Sequence, residues 1–235
     1  LIGLSPGIVD GIAKRGVSHE RIAMVPNGCD LDLFANSGTK WRPAGVHDDQ
    51  LLAVFSGTHG QANGLSAVLD AATVLKARSR DDIRIALIGQ GREKSRLMQR
   101  ASDEGLDNIL FLDPVPKIEL AGLLAGADIG LQVLQNIPAF YFGTSPNKFF
   151  DYIAAGLPVL NNYPGWLAEQ IEKNDCGFAV PPDNAQAFAD ALIAASDNRR
   201  LLVQKGKNAT RLAQDRFSRT ILASDWSTWV TSTDR

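Results

Sequence analysis

The chain has 235 residues, 45% of them hydrophobic and 21% charged, with a formal net charge of -2, enough apolar material for a sizeable core and a length of one large domain or one and a fraction. The mild acidity argues against a general nucleic-acid binder. No apolar run approaches the ~18 residues of a membrane span, no basic-then-apolar leader is visible, and Cys29 and Cys176 lack metal-type spacing, so both read as reduced thiols of a cytosolic protein.

The opening Leu1-Ile2-Gly3-Leu4 is strand-like and enters without a methionine, the expectation for a piece cut from something longer. Residues 1–36 read as the tail of a preceding domain, with Asn27-Gly28 a strong turn signal, and the Gly- and Pro-bearing stretch 37–46 reads as a linker. Short apolar runs then alternate with amphipathic ones. Strands are expected at Leu51–Ser56, Ile83–Ile88, Asn108–Leu112, Asp128–Leu134, Leu157–Leu160 and Gly177–Val180. Helices are expected at Leu65–Ala77, with a stripe of Leu65, Val68, Leu69, Ala72 and Leu75, and at Arg92–Glu104, Ile118–Ala125, Pro146–Ala155, Pro164–Lys173 and Asn184–Ser196. A last helical run extends from about Phe217 to Thr231. This alternation predicts an α/β fold, a doubly wound, Rossmann-like parallel sheet with right-handed crossovers over residues 47–215.

Such a sheet binds its ligand past the carboxyl ends of its strands, where strand order reverses. With order 3-2-1-4-5-6 the flanking loops are 56–63 and 135–148. Ser56-Gly57-Thr58-His59-Gly60 offers small residues for close backbone approach. The second loop runs through Gly143-Thr144 into a helix start where Ser145 serves as N-cap and Pro146 as first helical residue. The early N–H groups there are unpaired at the positive end of the helix dipole, and a phosphate is their natural occupant. Asn147 and Asp151 fall four apart on one face, Phe149, Phe150 and Ile153 hold the helix down, and Ala154-Ala155-Gly156 stops it. Plain structural roles are open for each polar residue: a solvated pair for Lys148 and Asp151, a helix-end contact for Asn147, a surface position for Arg92 and a structural or exposed histidine at His59.

The motifs I-G-L-S-P-G near the start, V-P-N-G-C-D-L-D-L-F at 25–34, S-G-T-H-G at 56–60, I-G-Q-G-R at 88–92, A-D-I-G-L at 127–131, A-x-G-x-P-V-L at 154–160 and G-F-A-V-P-P-D at 177–183 run in one collinear order. In that order the chain resembles the donor-binding half of a GT-B glycosyltransferase of the large retaining family 4 type. The form S-P-N-K-x-F-D-Y at 145–152 is similar to bacterial enzymes that build surface polysaccharides, N-acetyl amino-sugar transferases among them.

The resemblance implies binding of a nucleotide-diphospho-sugar, uridine-linked, without metal or other cofactor. It also implies transfer to a glycan or lipid-linked acceptor held by a missing N-terminal domain, a C-terminal helix (216–235) that crosses back to that domain, and a cytoplasmic location, peripheral at the inner membrane for the full-length protein. It assigns Gly57, Thr58, His59, Gly60, Asn63, Arg92, Thr144, Ser145, Pro146, Asn147 and Lys148 to the diphosphate and sugar, and Gly89, Val115 and Asp151 to the nucleoside. Asp151 occupies the second place of the family's acidic pair, but the first, eight residues earlier, is Gly143. The family's diphosphate Arg and Lys are replaced by Thr58 and Asn63, which leaves Lys148, Arg92 and His59 to supply charge. Those departures keep two alternatives open: a non-catalytic sugar-nucleotide or protein-interaction domain, and a sugar-nucleotide epimerase of the same architecture. Gly89-x-Gly91 also raises a dinucleotide-binding oxidoreductase, whose fingerprint lacks its third glycine here because residue 94 is Lys. No lysine is arranged to hold the pyridoxal cofactor of a phosphorylase.

Overall fold

A computed structural model describes residues 1–36 and 38–233; residue 37 of the expected linker and residues 234 and 235 of the last helix lie outside the described residues. A short parallel pair, β1 (Ile2–Gly3) and β2 (Ala23–Met24), precedes six further strands: β3 (Leu51–Ser56), β4 (Ile83–Ile88), β5 (Ile109–Leu112), β6 (Ile129–Gln132), β7 (Val159–Asn161) and β8 (Gly177–Ala179). These six form one parallel sheet in the order β5-β4-β3-β6-β7-β8, which is the order 3-2-1-4-5-6 on which the expected crevice rests. The helices are α1 (Pro6–Ala13), α2 (Leu31–Ala35), α3 (Ser66–Ala77), α4 (Lys94–Asp103), α5 (Lys117–Gly126), α6 (Pro138–Gly143), α7 (Asn147–Ala154), α8 (Trp166–Lys173), α9 (Ala185–Asp197), α10 (Arg199–Arg216) and α11 (Arg219–Thr233).

Both faces of the sheet are covered, which is why β3 reads as an unbroken apolar run rather than an alternating one. Leu51, Ala53 and Phe55 point into a core shared with α3, α4 and α9, while Leu52 and Val54 point into a second core built by α5, α7, α8 and α10. Cys29 and Cys176 are free, buried thiols of the second core.

The sheet's reversal lies between β3 and β6, whose ladder runs only through Ala53↔Ile129 and Val54↔Gly130. Beyond it the strands part, and the fully buried Tyr152 of α7 fills the gap. Its hydroxyl receives the Ser56 N–H at 2.9 Å and reaches the Leu131 carbonyl at 3.3 Å. Its ring lies so close to Gly130 that a Cβ there would sit 2.5 Å from it. One phenol thereby closes the backbone of two diverging strands and anchors α7 beside their ends.

Besides α1 and α2 in the first 36 residues, two helices escape the sequence reading. In α10, Gly206 and many charges mask the pattern: its buried face is Leu202, Lys205, Gly206, Ala209, Leu212 and Ala213, and the glycine lets it approach the Gly156 carbonyl, 2.6 Å from where a Cβ would stand. Inside the expected loop 135–148, α6 forms one and a half turns, pressed onto Gly7 of α1 and Gly165 before α8. The stretch read as linker runs along α5, where Trp41 Nε1 donates to the Glu119 carbonyl at 2.9 Å and Arg42 pairs with Asp128 at 2.6 Å. Residues 25–36 pack on α7 and on the start of α11, with the Cys29 N–H donating to the Phe217 carbonyl at 2.6 Å.

Tyr152→Phe keeps the shape of the ring but orphans the buried Ser56 N–H, a loss of about 1–3 kcal/mol. Chemical denaturation is expected to register it as a lower midpoint with an unchanged slope; equal midpoints would show that the hydroxyl is dispensable.

Candidate functional site

The crevice at the strand reversal begins with two loops that touch. Gly57 and Gly89 adopt φ of +149° and +147°, and a Cβ on Gly89 would stand 1.8 Å from the Gly57 carbonyl. A Cβ on Gly91 would stand 2.3 Å from the His59 carbonyl. The two glycines of Gly89-x-Gly91 therefore serve close backbone packing, which removes the ground for a dinucleotide fingerprint. The His59 N–H donates to the Gln90 carbonyl and the Glu93 N–H to the His59 carbonyl, both at 2.9 Å.

His59 corrects an expectation. Its side chain is fully buried between Phe55 and Phe111 and so cannot meet a diphosphate. Neither ring nitrogen has a hydrogen-bond partner among the described residues. Burial, and after it the Lys94 ammonium, hold the imidazole below the usual histidine range.

Beside these loops a pocket of about 330 Å³ is lined by Ser56, Gly57, Thr58, Ile88, Gly89, Gln90, Pro114, Val115 and Leu120. Gly57, Thr58, Gly89 and Val115 thus line one pocket. Gly60 instead lines a separate hollow of about 310 Å³ on the α3 side, with Asn136, Asn162 and Asp183. Arg92 is exposed in the turn before α4 and makes no ion pair among the described residues.

At the other wall the helix starts one residue later than expected. Pro146 occupies the cap of α7, no side chain caps it, and Asn147 opens the helix. Ser145 is not the cap because Asn27 claims it: the Asn27 N–H donates to Ser145 Oγ at 3.1 Å and Asn27 Nδ2 to the Ser145 carbonyl at 2.5 Å. Thr144 is tied down as well, its hydroxyl to the Phe140 carbonyl at 2.9 Å and its own carbonyl to Trp166 Nε1 at 2.7 Å. Asn147 turns outward into a groove with Asn27, Arg219 and Trp226.

Lys148 and Asp151 are not paired with each other. Lys148 Nζ donates to Asn63 Oδ1 at 2.8 Å and stands 4.8 Å over the Phe55 ring. Burial without a carboxylate pushes this ammonium down to about 8. Its Cε packs on Gly57, 3.2 Å from the place of an added Cβ. Asn63 and Lys148, 85 residues apart, thus occupy one spot, where the resemblance places a cation. Asp151, 9% exposed, accepts Lys117 Nζ on both oxygens at 2.8 Å. Burial raises its carboxyl and Lys117 draws it back. Asn27 and Lys117 carry no periodicity or spacing that marks them as neighbours of this helix. Among the described residues no group of three His, Cys, Asp or Glu could hold a metal ion, and no helix is long and apolar enough to cross a membrane.

Comparison with known proteins matches residues 38–212 to the family described as glycosyl transferases group 1. The chain belongs to that family. As a group 1 glycosyl transferase it is 27% identical over 205 residues to the phosphatidyl-myo-inositol mannosyltransferase of Mycobacterium leprae, covering 85% of this chain and 50% of the relative. It is 26% identical over 186 residues to the amylovoran biosynthesis glycosyltransferase AmsK of Erwinia amylovora, covering 79% and 44%. The chain thus spans half or less of these curated relatives. Among solved structures, Anabaena Alr3699/HepE in complex with UDP and glucose superposes with a TM-score of 0.80 at 18% identity, over 98% of this chain and 62% of that one. This likeness establishes the GT-B fold.

The depressed His59 has a consequence for stability. The folded imidazole binds its proton more weakly than the unfolded one, so as pH falls below about 6.5 the unfolded chain takes up the proton first and stability declines. Denaturation midpoints of His59→Asn are expected to fall less between pH 7 and pH 5 than those of wild type; parallel profiles would mean that the ring is already satisfied.

Proposed function

We propose that this chain is the C-terminal, donor-binding half of a retaining family 4 glycosyltransferase. Residues 47–215 hold a uridine-diphospho-sugar, and the preceding half presents a glycan or lipid-linked acceptor, so the isolated chain binds donor without transferring it. The observation that carries this reading is the pairing, at the strand reversal of a group 1 glycosyl transferase, of the pocket bounded by Gly57, Gly89 and Val115 with the acid-free, half-buried Lys148. The bound UDP of the Anabaena structure, a fold relative, agrees with the choice of base.

The nucleoside enters the pocket and Asp151 accepts the ribose hydroxyls, exchanging them for Lys117. The diphosphate lies between the Gly57 loop and the first turn of α7, where free N–H groups and Lys148 oppose the charge that grows on the leaving group. Lys148 then does for this chain what Arg and Lys at positions 58 and 63 do in the family, with Asn63 reduced to holding it. The site needs no metal in this reading, since the cation and the helix end supply the positive potential.

A calorimetric panel of nucleoside diphosphates and nucleotide sugars tests it, with micromolar-to-millimolar binding of UDP compounds expected; silence with every nucleotide would sink the reading. Lys148→Ala is expected to weaken UDP by about 1–3 kcal/mol while leaving uridine nearly unaffected. An equal loss for both would assign the lysine to folding.

A pH effect follows. Around pH 8 the free Lys148 is about half deprotonated, and an arriving diphosphate restores its proton. Titrations at pH 8 in buffers of different ionisation heat should report net proton uptake, with affinity weakening as pH rises through 8. Lys148→Met should abolish the part of that uptake that wild type shows beyond the ligand's own; identical uptake in both would contradict the assignment.

A further inference from the structure

Lys94 is the least economical lysine of the chain. It is the first residue of α4, so its charge meets the positive end of a helix dipole. Its side chain is only 9% exposed, and its carboxylate partner Asp113 is 90% exposed, too solvated to repay that burial. An apolar residue of this length would avoid both costs. What the ammonium does have is a set of acceptors from three places: the Gly89 carbonyl at 3.0 Å, the Leu112 carbonyl at 2.9 Å and Asp113 Oδ1 at 2.7 Å.

Gly89 is the first residue past β4, and Leu112 is the last residue of β5. The two strand ends are already joined by the Gly89 N–H to the Leu112 carbonyl at 3.2 Å, and Lys94 caps that junction from beneath. Because a trans peptide aligns its C=O and N–H in opposite directions, drawing the Gly89 and Leu112 carbonyls toward Nζ turns the N–H groups of Gln90 and Asp113 away from it. Gly89, Gln90, Pro114 and Val115 line the 330 Å³ pocket. Together with the backbone bonds from Gly89 N–H to the Leu112 carbonyl and from His59 N–H to the Gln90 carbonyl, one side chain outside the pocket's lining thus sets the orientation of the Gly89–Gln90 and Leu112–Asp113 peptides.

We propose that Lys94 is a positioning residue for the nucleoside: by gathering the Gly89 and Leu112 carbonyls it sets the peptide planes that meet the base, and so sets which base the pocket accepts. This rests on the donor site proposed above. The ligand class is a nucleoside diphosphate, read at its base by main-chain groups, while its phosphates are held across the crevice by α7 and Lys148.

The test compares UDP, GDP, uridine and inorganic pyrophosphate on wild type, K94M and K94R by calorimetry. K94M keeps the stem and removes the donors; it should bind UDP and uridine about tenfold more weakly, the loss of charge-assisted bonds at one remove. Pyrophosphate should stay unchanged, and the preference for UDP over GDP should narrow. K94R, which still offers two donors to the two carbonyls, should keep that preference. The His59 resonances give an independent check, since removing the neighbouring ammonium should raise the pH at which that ring titrates. Unchanged UDP affinity in K94M overturns the proposal, as does a loss shared equally by UDP and pyrophosphate. If K94M does not fold, a K94R chain that shifts UDP and pyrophosphate together overturns it as well. Failure of wild type to bind any of the four would instead overturn the donor site itself.

Discussion

The geometry of the crevice depends on how two parallel strands part without leaving their backbones unpaired. β3 and β6 share a brief ladder, and past it each strand end faces low dielectric with groups that no neighbouring strand can satisfy. Tyr152 resolves this with one hydroxyl for both strands. Since Tyr152 belongs to α7, the same bond that heals the sheet also fixes the height of the helix, and with it the positions of Lys148 one turn earlier and Asp151 beside it. Gly130 is the counterpart, the missing side chain that gives the ring its room.

Around that frame the lysines divide into two kinds. Lys94, Lys117 and Lys205 each have a carboxylate within 2.8 Å. Lys148 has a neutral amide and an aromatic face instead. A cation placed half out of water without an acid is held at a cost, and the cost is offset when an anion arrives. In the proposed donor site this asymmetry singles out Lys148 as the lysine whose charge an arriving diphosphate would neutralise. Asp151 presents the opposite case: its carboxylate is occupied by Lys117, which a ribose hydroxyl would have to displace in the proposed site.

Strand positions were legible because both-face burial writes continuous apolar runs, and β3 and β4 match their expected limits residue for residue. Alternation pointed to the doubly wound parallel sheet, and the order 3-2-1-4-5-6 considered for it is the one found. What failed has local reasons. Ser145 has every intrinsic feature of an N-cap, yet a residue 118 positions away offers it two donors, and tertiary bonds override propensity. His59 sits in a loop of small residues that suggests exposure, but the glycines around it exist to let the backbones close over it. The helix α10 hides because Lys205, Gly206 and Ala209 interrupt its buried stripe between Leu202 and Leu212. The union of Asn63 with Lys148 is a matter of distance in space that no spacing along the chain encodes.

The bonds from Asn27 to Ser145 have a meaning beyond the shape of one turn. They join the segment before β3 to the peptide that leads into α7, so the two are thermodynamically linked. Any displacement of residues 1–36 that strains those bonds changes the free energy of the loop, and any ligand that favours one loop conformation exerts an equal influence on the segment, because coupling is reciprocal. Were a ligand to occupy the crevice, the early part of the chain would report it, and the crevice would report how that segment is held.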